Sequence, residues 1–340
     1  MAETMQAWQY SSTSGGLEKN LHLNRSAARP TISANDILIR VHAMALNPVD
    51  HKVTEGPLPL RLVGTPITPG ADFCGTVAAL GAHVTDLAVG AWVYGAKVGA
   101  LNNGSLAQYV AVKRDMLGRL PDGVRAEDAA GVGIVGLTEY QALAPNVKAG
   151  DRVFINGGSG GTGVHGIQIA KALGCHVTTS CSTGNVELCK SLGADEVIDY
   201  KSQDVVQALR EKGQVFSAVV DNVGSPSNLY KASKAFLKPD AKFVQIGMGL
   251  SLGAVAQVSG NMLLPGFLGG GKNSYQMLMA KPSAEVFEQF GKWMQEGKLK
   301  GVVDTVFEWE DAPKAFEKLK TGRARGKIVV KVPQDVTEQT

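Results

Sequence analysis

The chain has 340 residues, of which 44% are hydrophobic and 19% are charged, a composition typical of a soluble globular enzyme. Its length favours two compact domains over one. A formal net charge of +3 is too small to indicate nucleic acid or an anionic membrane as a partner. We therefore expect neither. Because Met1–Gly16 has no basic start and no apolar run, we also expect a cytoplasmic location.

Short apolar segments separated by glycine and proline dominate the region from Asp36 to about Arg114. The clearest are Asp36–Leu46, Asp72–Leu80 and Gly90–Tyr94. This pattern predicts a mostly β unit.

From about Gly131 to Ala280, apolar strand segments alternate with helical ones. The predicted strands are Val153–Asn156, His176–Ser180, Glu196–Tyr200, Phe216–Asn222 and Lys242–Gly247, with a sixth at Asn273–Met279. The predicted helices are Thr162–Leu173, Asn185–Leu192, Gln203–Glu211 and Ser225–Leu237. This alternation predicts an α/β domain built on a doubly wound parallel sheet.

The last part of the chain changes character again. We predict helices at Ala284–Glu296 and Ala312–Thr321 and a closing strand at Lys327–Val332. We expect this tail to return to the first unit. The predicted division is thus residues 1–130 and 281–340 in one catalytic domain, with a dinucleotide-binding domain of residues 131–280 inserted into it.

A glycine-rich loop follows the predicted strand Val153–Asn156 and opens a helix. It reads G-x-G-x-x-G through Gly158, Ser159, Gly160, Gly161, Thr162 and Gly163, with Val164 next. Glycines let the backbone approach a pyrophosphate, and a helix N-terminus offers unpaired N–H groups and positive potential. In this strand–loop–helix setting the motif predicts dinucleotide binding.

The end of the second predicted strand indicates which dinucleotide binds. NAD enzymes usually place an acid there to accept from the ribose 2′-hydroxyl, but Thr178–Asn185 contains none. Hydroxyl and amide groups can instead donate to a 2′-phosphate. We therefore predict NADPH, with Ser182 and Asn185 as donors and Tyr200 closing over the site. Ser182 could alternatively serve only as a helix N-cap.

With these residues in view, the sequence resembles the medium-chain dehydrogenases/reductases, in the zinc-independent, quinone-oxidoreductase-like branch. The resemblance runs from about Met5 to Val332. It rests on Ala45–Asp50, Pro69–Val77, Gly104–Val110, Gly136–Thr138, Gly157–Gly163 and Gly322–Val330. It implies a GroES-like β domain with an inserted Rossmann domain.

The sequence departs from the zinc enzymes of that family at the metal site. Those relatives place a cysteine where this chain has Asn47 and a His-Glu pair where it has Ala71-Asp72. The four cysteines of this chain, Cys74, Cys175, Cys181 and Cys189, form no CxxC pair, so we expect free thiols. Since zinc needs three or four suitable ligands held together, we predict no metal site.

The resemblance also implies an acceptor class. The segment Asn47–Lys52 and the Ser182–Asn185 loop are similar to those of the trans-acting enoyl reductases of fungal polyketide assembly. We therefore expect a hydrophobic small-molecule acceptor, either an enone, an enoyl compound or a quinone. A catalytically inert NADPH-binding scaffold is the alternative, because binding alone would preserve the glycine loop.

Three residues are the predicted catalytic positions. Lys52, with Asn47 beside it, is the candidate donor to a developing oxyanion or to the cofactor ribose, and Asp50 is expected to order their loop. Thr138 resembles the family threonine near the nicotinamide or its ribose. For each of these three an ordinary structural role is the alternative.

Three further residues are predicted to contact the cofactor. Ile246 and Gly247 should lie over the nicotinamide, because ligands bind at the carboxyl ends of parallel strands. Lys327 is expected to reach the cofactor or to be an ordinary exposed lysine.

The segment Leu250–Asn273 is apolar and rich in glycine. It is interpreted either as a wall of the acceptor pocket or as the contact of a homodimer.

Overall fold

A computed structural model describes residues 3–56, 64–99, 103–247 and 274–334. The chain divides into two compact units, the first comprising Met1–Leu137 with Lys281–Thr340 and the second Thr138–Ala280. The segment Leu250–Asn273, expected to form a pocket wall or a dimer contact, lies outside the described residues. None of the described helices is long and apolar enough to cross a membrane.

The first unit begins as a predominantly β structure. Its strands up to residue 137 are β1 (Thr4–Gln9), β2 (His22–Ala28), β3 (Asp36–Leu46), β4 (Asp72–Leu80), β5 (Trp92–Ala96), β6 (Tyr109–Lys113) and β7 (Leu117–Arg119). Its helices in this part are α1 (Val49–Glu55), α2 (Ala126–Ala130) and the start of α3 (Gly133–Leu143). The strands β1 and β2 form an antiparallel ribbon, and β3 pairs antiparallel with both β4 and β6.

The strand β3 is buried on both faces, which explains its nearly continuous apolar sequence. Ile37, Ile39 and Val41 point into the main core of the unit, whereas Leu38 packs in a second cluster on the other face. Alternate residues of a strand face opposite sides of the sheet. A strand buried on both sides therefore loses the alternation of apolar and polar residues.

The second unit contains a six-stranded parallel sheet. Its strands are β8 (Arg152–Asn156), β9 (His176–Cys181), β10 (Glu196–Asp199), β11 (Phe216–Asp221), β12 (Leu237–Gln245) and β13 (Ser274–Met277), in the order β10-β9-β8-β11-β12-β13. Its helices after α3 are α4 (Gly163–Ala172), α5 (Val186–Ser191), α6 (Val205–Lys212) and α7 (Leu229–Ala232). The predicted doubly wound sheet is confirmed. The strand order reverses between β8 and β11, where such sheets bind their ligands.

One predicted helix of this unit is wrong. Instead of a helix over Ser225–Leu237, the structure has only the short α7 and a 3-10 turn at Ser233–Ala235. Pro226 has no N–H and disfavours helical geometry in the residue before it. The strand β12 then begins at Leu237, five residues before the predicted start at Lys242.

The end of the chain completes the first unit. It contains α8 (Ala284–Gln295), β14 (Val303–Phe307), α9 (Ala312–Lys320) and β15 (Lys327–Lys331). The strand β15 pairs antiparallel with β3 and parallel with β14. This pairing joins the tail to the sheet of the first unit, in the order β14-β15-β3-β4-β5-β7.

Candidate active site

The glycine loop after β8 is tightly packed at its first and last glycines and has room at its middle glycine. A Cβ added to Gly158 would lie 2.1 Å from Thr179 Oγ1, and one added to Gly163 would lie 2.2 Å from the carbonyl oxygen of Gly157. At Gly160 the nearest atom would be 3.6 Å away. The first and last glycines thus permit close packing, while the middle one leaves room for a Cβ. Beyond it begins α4, whose N-terminus favours an anion.

Three buried polar side chains hold this loop at the carboxyl edge of the sheet. Ser180 donates to Asn156 Oδ1 at 2.6 Å and accepts the backbone N–H of Gly157 at 3.0 Å. Asn156 Nδ2 donates to Asp221 Oδ1 at 2.8 Å. Burial raises the pKa of Asp221, against the effect of these hydrogen bonds. Sequence reasoning missed all three, although each is a polar residue at or next to the end of an apolar strand.

The predicted donors after β9 lie against the glycine loop. Asn185 Nδ2 is 3.0 Å from Ser159 Oγ and 3.2 Å from Ser182 Oγ. The structure therefore brings Ser182, Asn185 and the loop together within the second unit. Tyr200 is half exposed directly after β10, and its backbone N–H donates to the carbonyl oxygen of Cys181 at 3.1 Å.

A carboxyl group for which the sequence gives no motif lies near these donors. Asp199, the last residue of β10, pairs with Cys181 across the sheet. A hydrogen bond from the Thr183 side chain and one from the backbone of Lys201 hold the pKa of Asp199 below its usual range. The Asp199 carboxylate thus already accepts hydrogen bonds from Thr183 and Lys201.

Ile246 and Gly247 follow β12 at the same edge of the sheet. Their backbone N–H groups donate to the carbonyl oxygen of Asp221 at 2.9 and 3.1 Å. A Cβ on Gly247 would lie 1.9 Å from the carbonyl oxygen of Asn222, so only glycine fits there. Thr138 is buried on α3. Contacts of these three residues with a nicotinamide stay a prediction.

In the first unit, Asn47 and Lys327 meet Asp72 in a buried cluster. Lys327 Nζ donates to Asn47 Oδ1 at 2.5 Å and to Asp72 Oδ2 at 3.0 Å. Asn47 Nδ2 also donates to Asp72 Oδ2, at 2.9 Å. The interpretation of Lys327 as an ordinary exposed lysine is wrong, since the residue is only 2% exposed. The amide of Asn47 is likewise engaged on both of its polar atoms.

Asp72 also fixes the start of α3. Its Oδ1 accepts the backbone N–H of Ile134 at 2.6 Å, and a Cβ on Gly133 would lie 2.2 Å from the same oxygen. A carboxylate at a helix N-terminus is favourable because that end carries positive potential.

Lys52 is partly buried on α1, which follows Asn47 closely in the chain. Asp50 lies between them in sequence and accepts the backbone N–H of Asn47 at 2.7 Å, the ordering contact expected of it. Burial raises the pKa of Asp50 to about 7. At the far end of α1, Glu55 accepts from the backbone of Leu17 and from Lys320, which anchors the helix.

The residues at the family's zinc position do not fit a zinc ion. Asn47 and Ala71 are not zinc ligands, and the carboxylate of Asp72 is paired with the ammonium of Lys327. Within residues 3–56, 64–99, 103–247 and 274–334, no cluster of three His, Cys, Asp or Glu side chains could hold a metal ion. The four cysteines are buried and free.

Comparisons with known proteins agree with this architecture. Residues 33–122 match the family model of the alcohol dehydrogenase GroES-like domain, and residues 192–330 match that of the zinc-binding dehydrogenases. The trans-enoyl reductase pgmF of Aspergillus terreus is 47% identical over 346 residues, covering 97% of each chain. A chloroplast envelope quinone oxidoreductase homolog of Arabidopsis thaliana is 31% identical over 342 residues, covering 96% of this chain and 98% of the relative.

A solved structure extends the likeness to three dimensions. The quinone oxidoreductase from Coxiella burnetii superposes with a TM-score of 0.83 at 30% identity, covering 97% of this chain and 100% of that one. The predicted combination of a GroES-like domain and a Rossmann domain is thereby confirmed. The chain belongs to the quinone-oxidoreductase-like branch of the medium-chain dehydrogenases/reductases, a family of nicotinamide-dependent oxidoreductases.

Proposed function

We propose that this protein is an NADPH-dependent reductase that acts, without zinc, on a carbon–carbon double bond conjugated to a carbonyl group, or on a quinone. The observation that carries the proposal is the glycine loop with room at Gly160, whose Ser159 lies against Asn185, itself bonded to Ser182. The names of the trans-enoyl reductase and of the quinone oxidoreductases among its relatives support the acceptor class.

The residues of the second unit fit a dinucleotide phosphate. The backbone from Gly158 to Val164 would hold the pyrophosphate at the N-terminus of α4, and Ser182 and Asn185 would donate to the 2′-phosphate, with Tyr200 beside them. Ile246, Gly247 and Thr138 would lie near the nicotinamide ring or its ribose. When bound, the reduced nicotinamide supplies the hydride.

The first unit supplies charge stabilisation. Addition of a hydride to the β-carbon of an enone places negative charge on the carbonyl oxygen, and a positioned ammonium stabilises that charge. We assign this donor role to Lys52. Asn47 acts as a positioning residue, because its amide is committed to Lys327 and Asp72. Because Lys327 Nζ donates to Asn47 Oδ1, we assign Lys327 a role in holding Asn47 in place.

The charges of this cluster support independence from zinc. A divalent cation needs anionic or neutral donors with free lone pairs, whereas an ammonium group already neutralises the Asp72 carboxylate. Reduction of an acceptor that its own carbonyl group polarises does not require a Lewis acid.

Substitution of Lys52 separates this proposal from the alternative of an inert NADPH-binding scaffold. We would measure NADPH affinity and turnover of a quinone, a simple enone, an enoyl thioester and a saturated ketone. The Lys52→Ala variant should retain NADPH binding and lose about 10²-fold or more in turnover, the usual effect of removing an oxyanion donor. Lys19→Ala, at an exposed lysine of the same unit, is the matched control. Tight NADPH binding without turnover of any acceptor by the unmodified protein would favour the scaffold.

A further inference from the structure

Glu139 is a fully buried carboxyl group in α3 that the functional proposal does not use. It packs against α4 at Gly166, where a Cβ would lie 2.6 Å from the Glu139 carboxyl carbon. Asn222, directly after β11, donates from Nδ2 to Glu139 Oε1 at 2.6 Å. Because Gly166 has no side chain, α4 leaves room for Glu139, which hydrogen bonds to Asn222 at the carboxyl edge of the sheet.

Two atoms of this pair have no hydrogen-bond partner among the described residues. They are Glu139 Oε2 and Asn222 Oδ1, one on each side chain, and both are buried. If the carboxyl were ionised, both atoms would be acceptors, and two unsatisfied buried acceptors destabilise a fold. A single proton on Glu139 Oε2 would convert it into a donor to Asn222 Oδ1. Burial raises the pKa of Glu139 to about 8, so the acid keeps this proton at neutral pH.

Asn222 connects this pair to the candidate cofactor site. Its backbone N–H donates to the carbonyl oxygen of Asn156 at 3.3 Å, next to the glycine loop. Its own carbonyl oxygen is the atom that would lie 1.9 Å from a Cβ on Gly247. The position of Asn222 therefore affects both the start of the glycine loop and the end of β12.

We propose that Glu139 is a positioning residue that works as a neutral carboxylic acid. It holds Asn222 by two hydrogen bonds, and Asn222 in turn holds the edge of the sheet that receives the cofactor. The proposal rests on the proposed function in so far as it concerns cofactor binding. Ionisation of Glu139 breaks one of the two hydrogen bonds and places a charge in a buried site. Cofactor affinity should therefore fall as the acid loses its proton.

Other titratable side chains lie on the elements around Glu139. His165 precedes Gly166 on α4, with Nδ1 2.9 Å from the carbonyl oxygen of Gly161. Asp221 precedes Asn222 and accepts from Asn156 and two backbone N–H groups. Tyr140 follows Glu139 on α3. Because any of these could contribute a pH effect, the test compares variants that differ at residue 139 alone.

Infrared spectroscopy of the protein without cofactor tests the protonation state. At pH 7 the unmodified protein should show the carbonyl band of a buried protonated carboxylic acid, which disappears as the pH is raised above 8. The band should be missing from Glu139→Gln and shifted in Asn222→Ala, which keeps the acid and removes its partner. Since the buried acid Asp50 titrates in the same range, the pH titration is made in an Asp50→Asn background, where it decides this point even if Glu139→Gln does not fold. A spectrum at pH 7 that Glu139→Gln leaves unchanged would overturn the proposal.

NADPH binding between pH 7 and pH 9.5 tests the positioning role. The amide in Glu139→Gln can form both hydrogen bonds to Asn222 and cannot ionise in this range. The unmodified protein should lose about tenfold in affinity over this range, since its acid ionises, whereas Glu139→Gln should lose about twofold at most. Glu187→Gln, at an exposed acid of the same unit, should behave like the unmodified protein.

The possible failures are distinguishable. If NADPH binds and Glu139→Gln has the same pH profile as the unmodified protein, the positioning role is overturned and the proposed function stands. If neither NADPH nor NADH binds at any pH, the proposed function fails together with the positioning role. The infrared band still decides whether Glu139 and Asn222 form the neutral pair.

Discussion

Lys327 Nζ lies 3.0 Å from Asp72 Oδ2 in an ion pair whose two side chains are 2% and 0% exposed. Asn47 completes the cluster by hydrogen bonding to both partners. The pair joins β15, from the end of the chain, to the start of β4. Since each charge is buried, each depends on the other for its stabilisation.

Removal of either charge should therefore destabilise the protein. We expect Lys327→Met or Asp72→Asn to lower the free energy of unfolding by about 3–5 kcal/mol, because the remaining partner stays buried and unpaired. Loss of both charges together should be less damaging than the sum of the single changes. Chemical denaturation of the three variants measures these differences.

Lys331→Met is the matched control for this prediction. Lys331 ends the same strand, and its ion pair with Glu308 is exposed. Its loss should change stability by at most about 0.5 kcal/mol. Equal effects of Lys327→Met and Lys331→Met would contradict the importance of the buried pair.

The glycine loop yields a second prediction. Gly160→Ala should leave the melting temperature nearly unchanged, because the added Cβ has space. It should weaken NADPH binding by about tenfold, or 1.4 kcal/mol, since the methyl group would occupy the approach to the phosphates. Gly163→Ala should destabilise the fold itself, because its Cβ would collide with the Gly157 carbonyl oxygen. Calorimetry of unfolding and of NADPH binding checks both. Unchanged NADPH affinity in Gly160→Ala would show that the phosphates do not bind at this loop.

A third prediction concerns the choice between NADPH and NADH. Ser182→Asp places a carboxylate where we propose that the 2′-phosphate binds. Repulsion should weaken NADPH binding by about tenfold or more, whereas NADH binding should be retained or improved. Ser191→Asp, an equal change at an exposed position at the end of α5, should alter neither. The ratio of the two dissociation constants is the measurement, and a ratio that Ser182→Asp leaves unchanged refutes the assignment.

The raised pKa of Asp50 predicts a pH effect on stability. Its folded-state pKa is about 7 against an ordinary value of 3.8, so between these pH values the folded protein holds a proton that the unfolded chain releases. This contribution to stability is fully present below pH 3.8 and is lost as the pH rises through 7. Relative to Asp50→Asn, the free energy of unfolding of the unmodified protein should fall by about 2 kcal/mol across this window. This is less than the energy equivalent of the whole pKa shift, because the side chain is partly exposed.

Asp36→Asn provides a control of opposite sign. Hydrogen bonds from Ser33 lower the pKa of Asp36, so its contribution is present at neutral pH and is lost in acid. Thermal unfolding from pH 2 to pH 8 measures all three proteins, because the contribution of Asp36 changes only below pH 3.8. If the difference between the unmodified protein and Asp50→Asn does not change with pH, Asp50 does not titrate as described.

Much of the fold could be predicted because its signals are local. The strands Asp36–Leu46 and Asp72–Leu80 have the predicted bounds, and the glycine loop lies between a strand and a helix as its motif requires. The antiparallel ribbon of β1 and β2 was not predicted. Short, half-exposed strands show little periodicity, and their pairing partners are distant in sequence.

The site could be predicted only where a motif marks it. Ser182 and Asn185 could be proposed as site residues because they follow a strand that follows the glycine loop. The partners of Lys327 could not be found in this way, since they lie 255 and 280 residues away in the chain. Glu139 gave no signal either, because its burial depends on Gly166 of another helix and on Asn222 after a later strand.

The most direct test of the proposed function is a single reaction of chelator-treated protein with NADPH and a simple enone, followed by analysis of the product. NADPH should be oxidised in a one-to-one ratio with formation of the saturated ketone. A chelator should not slow the reaction, and NADH should be a poorer donor. Loss of the reaction on metal removal, or reduction of the carbonyl group in place of the double bond, would contradict the proposed function.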